Sequence, residues 1–96
     1  MNKQQMLLTI LMEECNETSQ RASKAIRFGL EEIQEGQNLT NAERLVYEFN
    51  DILACMELLF AEKHIPYHID PVESGLKKVK IEKWLKYSKE CGTITD

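Results

Sequence analysis

Residues 40–60, TNAERLVYEFNDILACMELLF, decide the fold. Thr40 and Glu43 stand three apart, as in a capping box, where the hydroxyl and the carboxylate satisfy the free amides of a helix start. From there Leu45, Phe49, Ile52, Leu53, Met56, Leu59 and Phe60 recur with the 3.6-residue period of one apolar stripe. The spacing predicts a helix over residues 41–64, stopped by Pro66.

Upstream, Leu8, Leu11, Cys15, Ala22, Ile26, Leu30 and Ile33 step by three, four or small multiples, which predicts a long first helix over 3–35. Gly29 is its weak point, where a kink is expected, and Gly36-Gln37-Asn38 supplies the stop. A connection of about four residues would make the two helices an antiparallel hairpin packed along its stripes. Downstream, an irregular stretch with two prolines leads to a third helix over 72–90, ended by Cys91-Gly92. Leu76, Val79, Ile81, Trp84, Leu85 and Tyr87 scatter around that helix, so it is expected to touch more than one surface. No β-type alternation or internal repeat is present, and the reading is a single all-α domain over 1–96: a helical hairpin plus a third helix. Three helices fall one short of a four-helix bundle. A homodimer or dimer of dimers, with a four-helix-bundle core formed on oligomerisation, is the expected assembly.

Composition narrows the function classes. Apolar residues at 43% and charged residues at 29% are a globular mixture, which argues against disorder. The net charge of −4 has the wrong sign for clamping a nucleic acid polymer through its phosphates. Apolar runs such as Met6–Met12, interrupted by Thr9, and Leu58–Ala61 are far shorter than the roughly 20 residues of a membrane span. With no small-residue cleavage site after the N-terminal apolar stretch, a cytoplasmic protein is expected. Cys15, Cys55 and Cys91 are odd in number and lack a C-x-x-C pair, so neither a disulfide framework nor a zinc site is indicated. Cys15 and Cys55 fall in apolar helical patterns and read as buried thiols.

The acids carry the chemistry. Glu13-Glu14-Cys15-Asn16-Glu17 has the form E-E-x-x-E, and Glu48-Phe49-Asn50-Asp51 the form E-x-x-D. Residues three apart share a helix side, so Glu14 with Glu17, and Glu48 with Asp51, each set two carboxylates next to each other. Like charges at that spacing repel, a cost to folding unless a cation joins them. Both pairs lie near the edge of an apolar stripe and can face a groove beside the helix interface. Four carboxylates without His or Cys suit a hard cation, Mg²⁺ when phosphates complete its shell, with Mn²⁺ also fitting. Arg21, Lys24 and Phe28 follow on the same side of the first helix, as cations for phosphate oxygens and a ring for a base or sugar. Lys77 and Lys80, near the start of the third helix, are further candidates for the phosphates. The plainer reading is that Glu17 and Arg21 form an ordinary i, i+4 surface pair and that the acids are solvated decoration. Two such motifs on adjacent helices weigh against it.

This arrangement resembles the MazG-like branch of the all-α nucleoside triphosphate pyrophosphohydrolases, whose pattern is E-E-x-x-E followed by E-x-x-D on the next helix. The likeness covers Leu11 to Leu59 and fades to a Lys-rich helix beyond Pro66. It implies hydrolysis of a nucleoside triphosphate or related nucleotide between the α and β phosphorus atoms, giving a monophosphate and pyrophosphate. By motif position Glu14, Glu17, Glu48 and Asp51 would hold the metal, with Glu14 and Glu17 also counted as catalytic, while Glu13 points about 100° away from Glu14. The resemblance also implies the oligomeric bundle. Two alternatives stand beside it: a nucleotide-binding or sequestering protein of the same fold without turnover, and a helical interaction module. His64 and His68 read as loop residues, and Trp84 as a packing residue.

Overall fold

The computed structural model describes all 96 residues and is all-helical, with three helices and no strand. Helix α1 spans Lys3–Phe28, α2 spans Asn41–Ala61 and α3 spans Pro71–Glu90. Each start is made locally. Asn2 and Gln5 cap α1 reciprocally, Thr40 and Glu43 do the same for α2 as the capping-box spacing predicts, and Asp70 with Pro71 at the first position opens α3.

The first helix is shorter than its periodicity suggests. It ends at Phe28, because Gly29 takes φ 98° and leaves the helical path, so residues 30–35 do not continue it. Leu30 and Ile33 keep the helical phase in sequence but lie, half exposed, in the connection. That connection therefore runs from Gly29 to Thr40 rather than over four residues. It folds back on itself: the Asn41 N–H donates to the Glu32 carbonyl at 3.0 Å and the Ala42 N–H to the Leu30 carbonyl at 2.9 Å.

Helix α2 ends three residues before the expected 64. The Lys63 N–H donates to the Phe60 carbonyl and the His64 N–H to the Leu59 carbonyl, both at 3.0 Å, closing the helix in a Schellman motif with Lys63 at φ 58°. Helix α3 ends in the same motif, but there Gly92 occupies the left-handed position at φ 82°. An L side chain in that conformation is disfavoured by roughly 1–2 kcal/mol. Lys63→Gly is therefore expected to stabilise the chain by up to about 1 kcal/mol once the extra freedom of glycine in the unfolded state is counted. Thermal unfolding of the two proteins measures this.

The α1–α2 seam follows the stripes picked out by hydrophobicity only in part, at Leu11, Leu45, Ile52 and Leu59. On α1 the covered line is Leu7, Leu11, Glu14, Thr18, Arg21 and Ala25, and on α2 it is Asn41, Leu45, Glu48, Ile52, Cys55 and Leu59. Leu8, Cys15 and Ile26 from the expected α1 stripe are exposed, Ile26 by 86%, as are Phe49 and Leu53 from the α2 stripe. Cys55 is buried as expected and Cys15 is not; all three thiols are free. The exposed residues have a pattern of their own. Leu8, Met12, Cys15 and Ile26 on α1, and Val46, Phe49 and Leu53 on α2, each form a second stripe rotated about 100–150° in the same sense from the seam. In an antiparallel pair these two stripes fall on one common face.

Helix α3 stands apart. No Cα of α3 comes within 8 Å of α1 or α2, so it touches none of the surfaces expected for it within its own chain, and its apolar residues are all exposed. The segment leading to it is anchored at the end of the hairpin: Tyr67 packs edge-on against Phe60 with ring centroids 5.1 Å apart, His64 Nδ1 lies 3.5 Å from Gln4 Nε2, and Lys3 pairs with Glu62. The result is a flat arrangement of 47 × 40 × 21 Å with a radius of gyration of 16.8 Å, where a compact chain of this length has about 12.5 Å. Its accessible surface is 7832 Å², against about 5,700 Å² for a compact monomer of this mass.

Candidate metal centre

Antiparallel pairing of α1 with α2 sets residues of the seam opposite one another in rungs seven positions apart. Arg21 meets Asn41, and seven residues along each helix Glu14 meets Glu48. The same register sets Leu7 opposite Cys55, both buried. One rung is apolar, one is a pair of carboxylates and one joins a guanidinium to an amide.

At the middle rung Glu14, Glu48 and Asp51 each bring one carboxylate oxygen within 4.8 Å of the others. Glu14 and Glu48 are half covered by the seam and Asp51 is exposed. Glu14 Oε2 and Glu48 Oε2 are buried and accept no hydrogen bond from the chain. Burial first, and then the charges of Glu17, Asp51 and Glu48, push the Glu14 carboxyl above its ordinary range. The Glu48 carboxyl is raised by burial and next by Glu17, while the Arg21 guanidinium pulls the other way. Glu17, like Asp51, is exposed, and it is close enough to repel both half-covered carboxylates. Two acceptor oxygens without donors, within a group that resists ionising, suit a hard divalent cation with oxygen ligands. The residues present fit Mg²⁺ or Mn²⁺; no softer ligand joins the group, and the Cys55 thiol on the seam has its pKa raised by burial and then by Glu14 and Asp51.

The other candidates are placed less uniformly. Arg21 is only 7% exposed; its Nη1 donates to Asn41 Oδ1 at 3.4 Å and its Nε has no partner. Lys24 is half buried one turn beyond, and Phe28 is exposed at the end of α1 with the Arg27 guanidinium 5.0 Å from its ring centre. Lys77 and Lys80 are exposed on α3 and are not brought to the carboxylates within one chain. Glu13 is exposed and outside the cluster.

Asn41 is the residue that motif reading passes over. It is 1% exposed, and its Nδ2 donates to the Gly29 carbonyl at 2.9 Å and to Glu32 Oε1 at 3.0 Å, while its Oδ1 accepts from Arg21. It thereby ties the end of α1, the connection and the buried guanidinium together. Its position seven residues before Glu48, on the same helix face, was the available signal. Asn41→Ala strips the guanidinium of its one acceptor and removes a donor from the Gly29 carbonyl and from the Glu32 carboxylate. It is expected to destabilise the fold by about 2–4 kcal/mol, read from denaturant unfolding.

A second group, His68 with Asp70 and Glu73, gathers at the start of α3, with His68 Nε2 3.8 Å from Asp70 and 3.6 Å from Glu73. Asp70 caps the helix and Glu73 lies in its first turn, where acids are favoured without any ligand. His64 and His68 both lie between α2 and α3, as expected of loop residues. No helix is long and apolar enough to cross a membrane. In comparisons with known proteins, the chain matches no family model, no curated protein and no solved structure.

Proposed function

We propose that the chain hydrolyses a nucleoside triphosphate or related nucleotide at the α–β phosphoanhydride, with Mg²⁺, giving a nucleoside monophosphate and pyrophosphate. The observation that carries the reading is the convergence of Glu14, Glu48 and Asp51 across the hairpin, with two buried oxygens lacking donors and Glu17 alongside. The resemblance of the two acidic motifs to the MazG-like pyrophosphohydrolases supplies the reaction.

Glu14, Glu48 and Asp51 would hold the cation, and Glu17 would complete the set. A bound divalent cation supplies charge neutralisation and Lewis acidity at the polyphosphate. Glu17, exposed at the rim, accepts the proton of the attacking water. Lys24 steadies phosphate oxygens, and the Arg21 guanidinium, one rung from the carboxylates, adds positive potential from within the seam. Phe28 offers its ring to the base or sugar. The chain works as a homodimer or dimer of dimers, in which the two exposed stripes on the common hairpin face pair with those of a second hairpin as a four-helix bundle. That face lies opposite the side to which Glu17 and Asp51 point, so pairing of the two hairpin faces does not itself cover the carboxylates.

A panel of nucleotides incubated with Mg²⁺, read for pyrophosphate and orthophosphate separately, tests the reaction. Pyrophosphate with monophosphate is expected; predominant orthophosphate, or no hydrolysis of any nucleotide in the panel, overturns it. The readings of a non-hydrolysing nucleotide binder and of a helical interaction module are the outcomes that a silent panel leaves.

A further inference from the structure

We infer that α3 is an exchanged arm: in the dimer it leaves its own hairpin and lies over the carboxylate-bearing side of the second copy's hairpin, setting Lys77 and Lys80 beside that chain's acids. The placement of α3 follows from shape and charge alone, whereas the role given to its lysines rests on the hydrolase reading.

Four observations carry the placement. First, α3 has no contact with its own hairpin, and the packing of Tyr67 on Phe60 together with the Gln4 and His64 contact holds the linker against the hairpin end and directs α3 outward. Second, the two parts are complementary in charge: α3 holds six lysines against three glutamates, while residues 1–60 hold five basic against ten acidic side chains. Third, the surface in excess of a compact monomer is about 2,100 Å² per chain, well above the roughly 800 Å² each partner buries in a standard interface. Pairing of the apolar hairpin faces uses one part of that surface, and docking of α3 uses another.

The fourth observation is a match of pattern. Leu76, Lys77, Lys80, Trp84 and Tyr87 share one side of α3, mixing cations with rings, and Trp84 stacks edge-on against Tyr87 at 6.0 Å. The carboxylate side of the hairpin mixes the same elements with the opposite charge. Its acids lie in the middle, with exposed Met6 and Leu58 toward one end and exposed Tyr47 and Phe28 toward the other. A helix with apolar groups on several sides and no single stripe suits a groove between two helices better than a flat face. Docked there, Lys77 and Lys80 face the phosphates, and Trp84 and Tyr87 add a wall that one chain alone lacks.

Two experiments test this on the full chain. Natural-abundance and ¹⁵N-labelled protein are unfolded, mixed in equal amounts, refolded together and treated with a zero-length carbodiimide coupler. Crosslinks from Lys77 or Lys80 to Glu17 or Asp51 are expected to join one light and one heavy peptide in about half of cases, the statistical share for a symmetric dimer. Crosslinks of matched isotope only, or none between these residues, overturn the exchange.

The second experiment is complementation. A Glu17→Gln/Asp51→Asn chain and a Lys77→Ala/Lys80→Ala chain are each expected to lose turnover. Refolded together in equal amounts, they are expected to recover about a quarter of wild-type activity, because each mixed dimer has one site with intact acids and an intact arm. A mixture as inactive as its components shows the arm acting within its own chain. Wild-type turnover by the lysine variant alone overturns the lysines' role. If wild-type protein hydrolyses no nucleotide, the hydrolase reading fails by itself and the isotope crosslinks still decide where α3 lies.

Discussion

Glu17→Gln and Asp51→Asn are each expected to lower turnover by at least about 100-fold while leaving the helical content unchanged. Either swap keeps the side chain's shape and removes one negative oxygen donor from a set of four. Loss of groups that only support metal ligands already costs 10–100-fold, so loss of a ligand or of the proton acceptor costs at least as much. Stability is expected to move the other way. In the absence of metal the carboxylates repel one another across the middle rung, and Glu17 is a cause of the raised pKa at both Glu14 and Glu48. The variants should therefore melt at or above the wild-type temperature when no divalent cation is present. Wild-type rates in both variants would remove the cluster from the chemistry. A melting temperature that collapses would show that the carboxylates serve packing instead.

The second large effect links pH, metal and stability. Glu14 and Glu48 have folded-state pKa values above the ordinary 4.5. Such groups favour the folded state fully below the unfolded value and lose that contribution as pH rises through the folded value. Metal-free protein should thus melt at a higher temperature near pH 5 than near pH 8. Glu62, held down by Lys3, opposes this trend, but on an exposed surface where the pair is worth little. Mg²⁺ or Mn²⁺ reverses the slope, because a cation binds the ionised carboxylates. At a hundredfold excess over its dissociation constant at pH 7.5, it should stabilise by about 2.7 kcal/mol, or roughly 10 °C or more for a chain of this size. The gain should vanish toward pH 4.5. Scanning fluorimetry across pH with and without the cation reads both slopes, and no response to either cation at pH 7.5 excludes the metal centre.

The existence and order of the three helices were legible from helical spacing and from the stops at Gly36, Pro66 and Gly92, and the start of α2 from Thr40 with Glu43; the starts made by Asn2 with Gln5 and by Asp70 with Pro71 went unread. The acids were legible for the same reason, since spacing alone sets Glu14 near Glu17 and Glu48 near Asp51 on their helices. What hydrophobicity misread was the seam. It chose Leu8, Cys15, Ile26, Phe49 and Leu53, which are apolar but exposed, over Arg21 and Asn41, which are polar but buried. An apolar stripe reports that a face is to be covered without saying by what, and this hairpin has two faces to cover. The end of α1 was misread because Leu30 and Ile33 stay in phase beyond Gly29, and only the positive φ at that glycine stops the helix. Nothing local to α3 could show that it would have no neighbour in its own chain.

The rungs of the seam also act as a vernier between the two helices. An apolar seam of similar side chains tolerates sliding, because a displacement of one turn, about 5.4 Å, exchanges one aliphatic contact for another. Here the same displacement separates Arg21 from Asn41 and leaves a guanidinium buried with no acceptor, while it also pulls Glu14 away from Glu48. Sliding in either direction incurs the first penalty, so misaligned hairpins are selected against even though the polar rungs add little to the stability of the aligned one. The spacing of the carboxylates is therefore set from a distance, by a pairing two turns away that touches none of them.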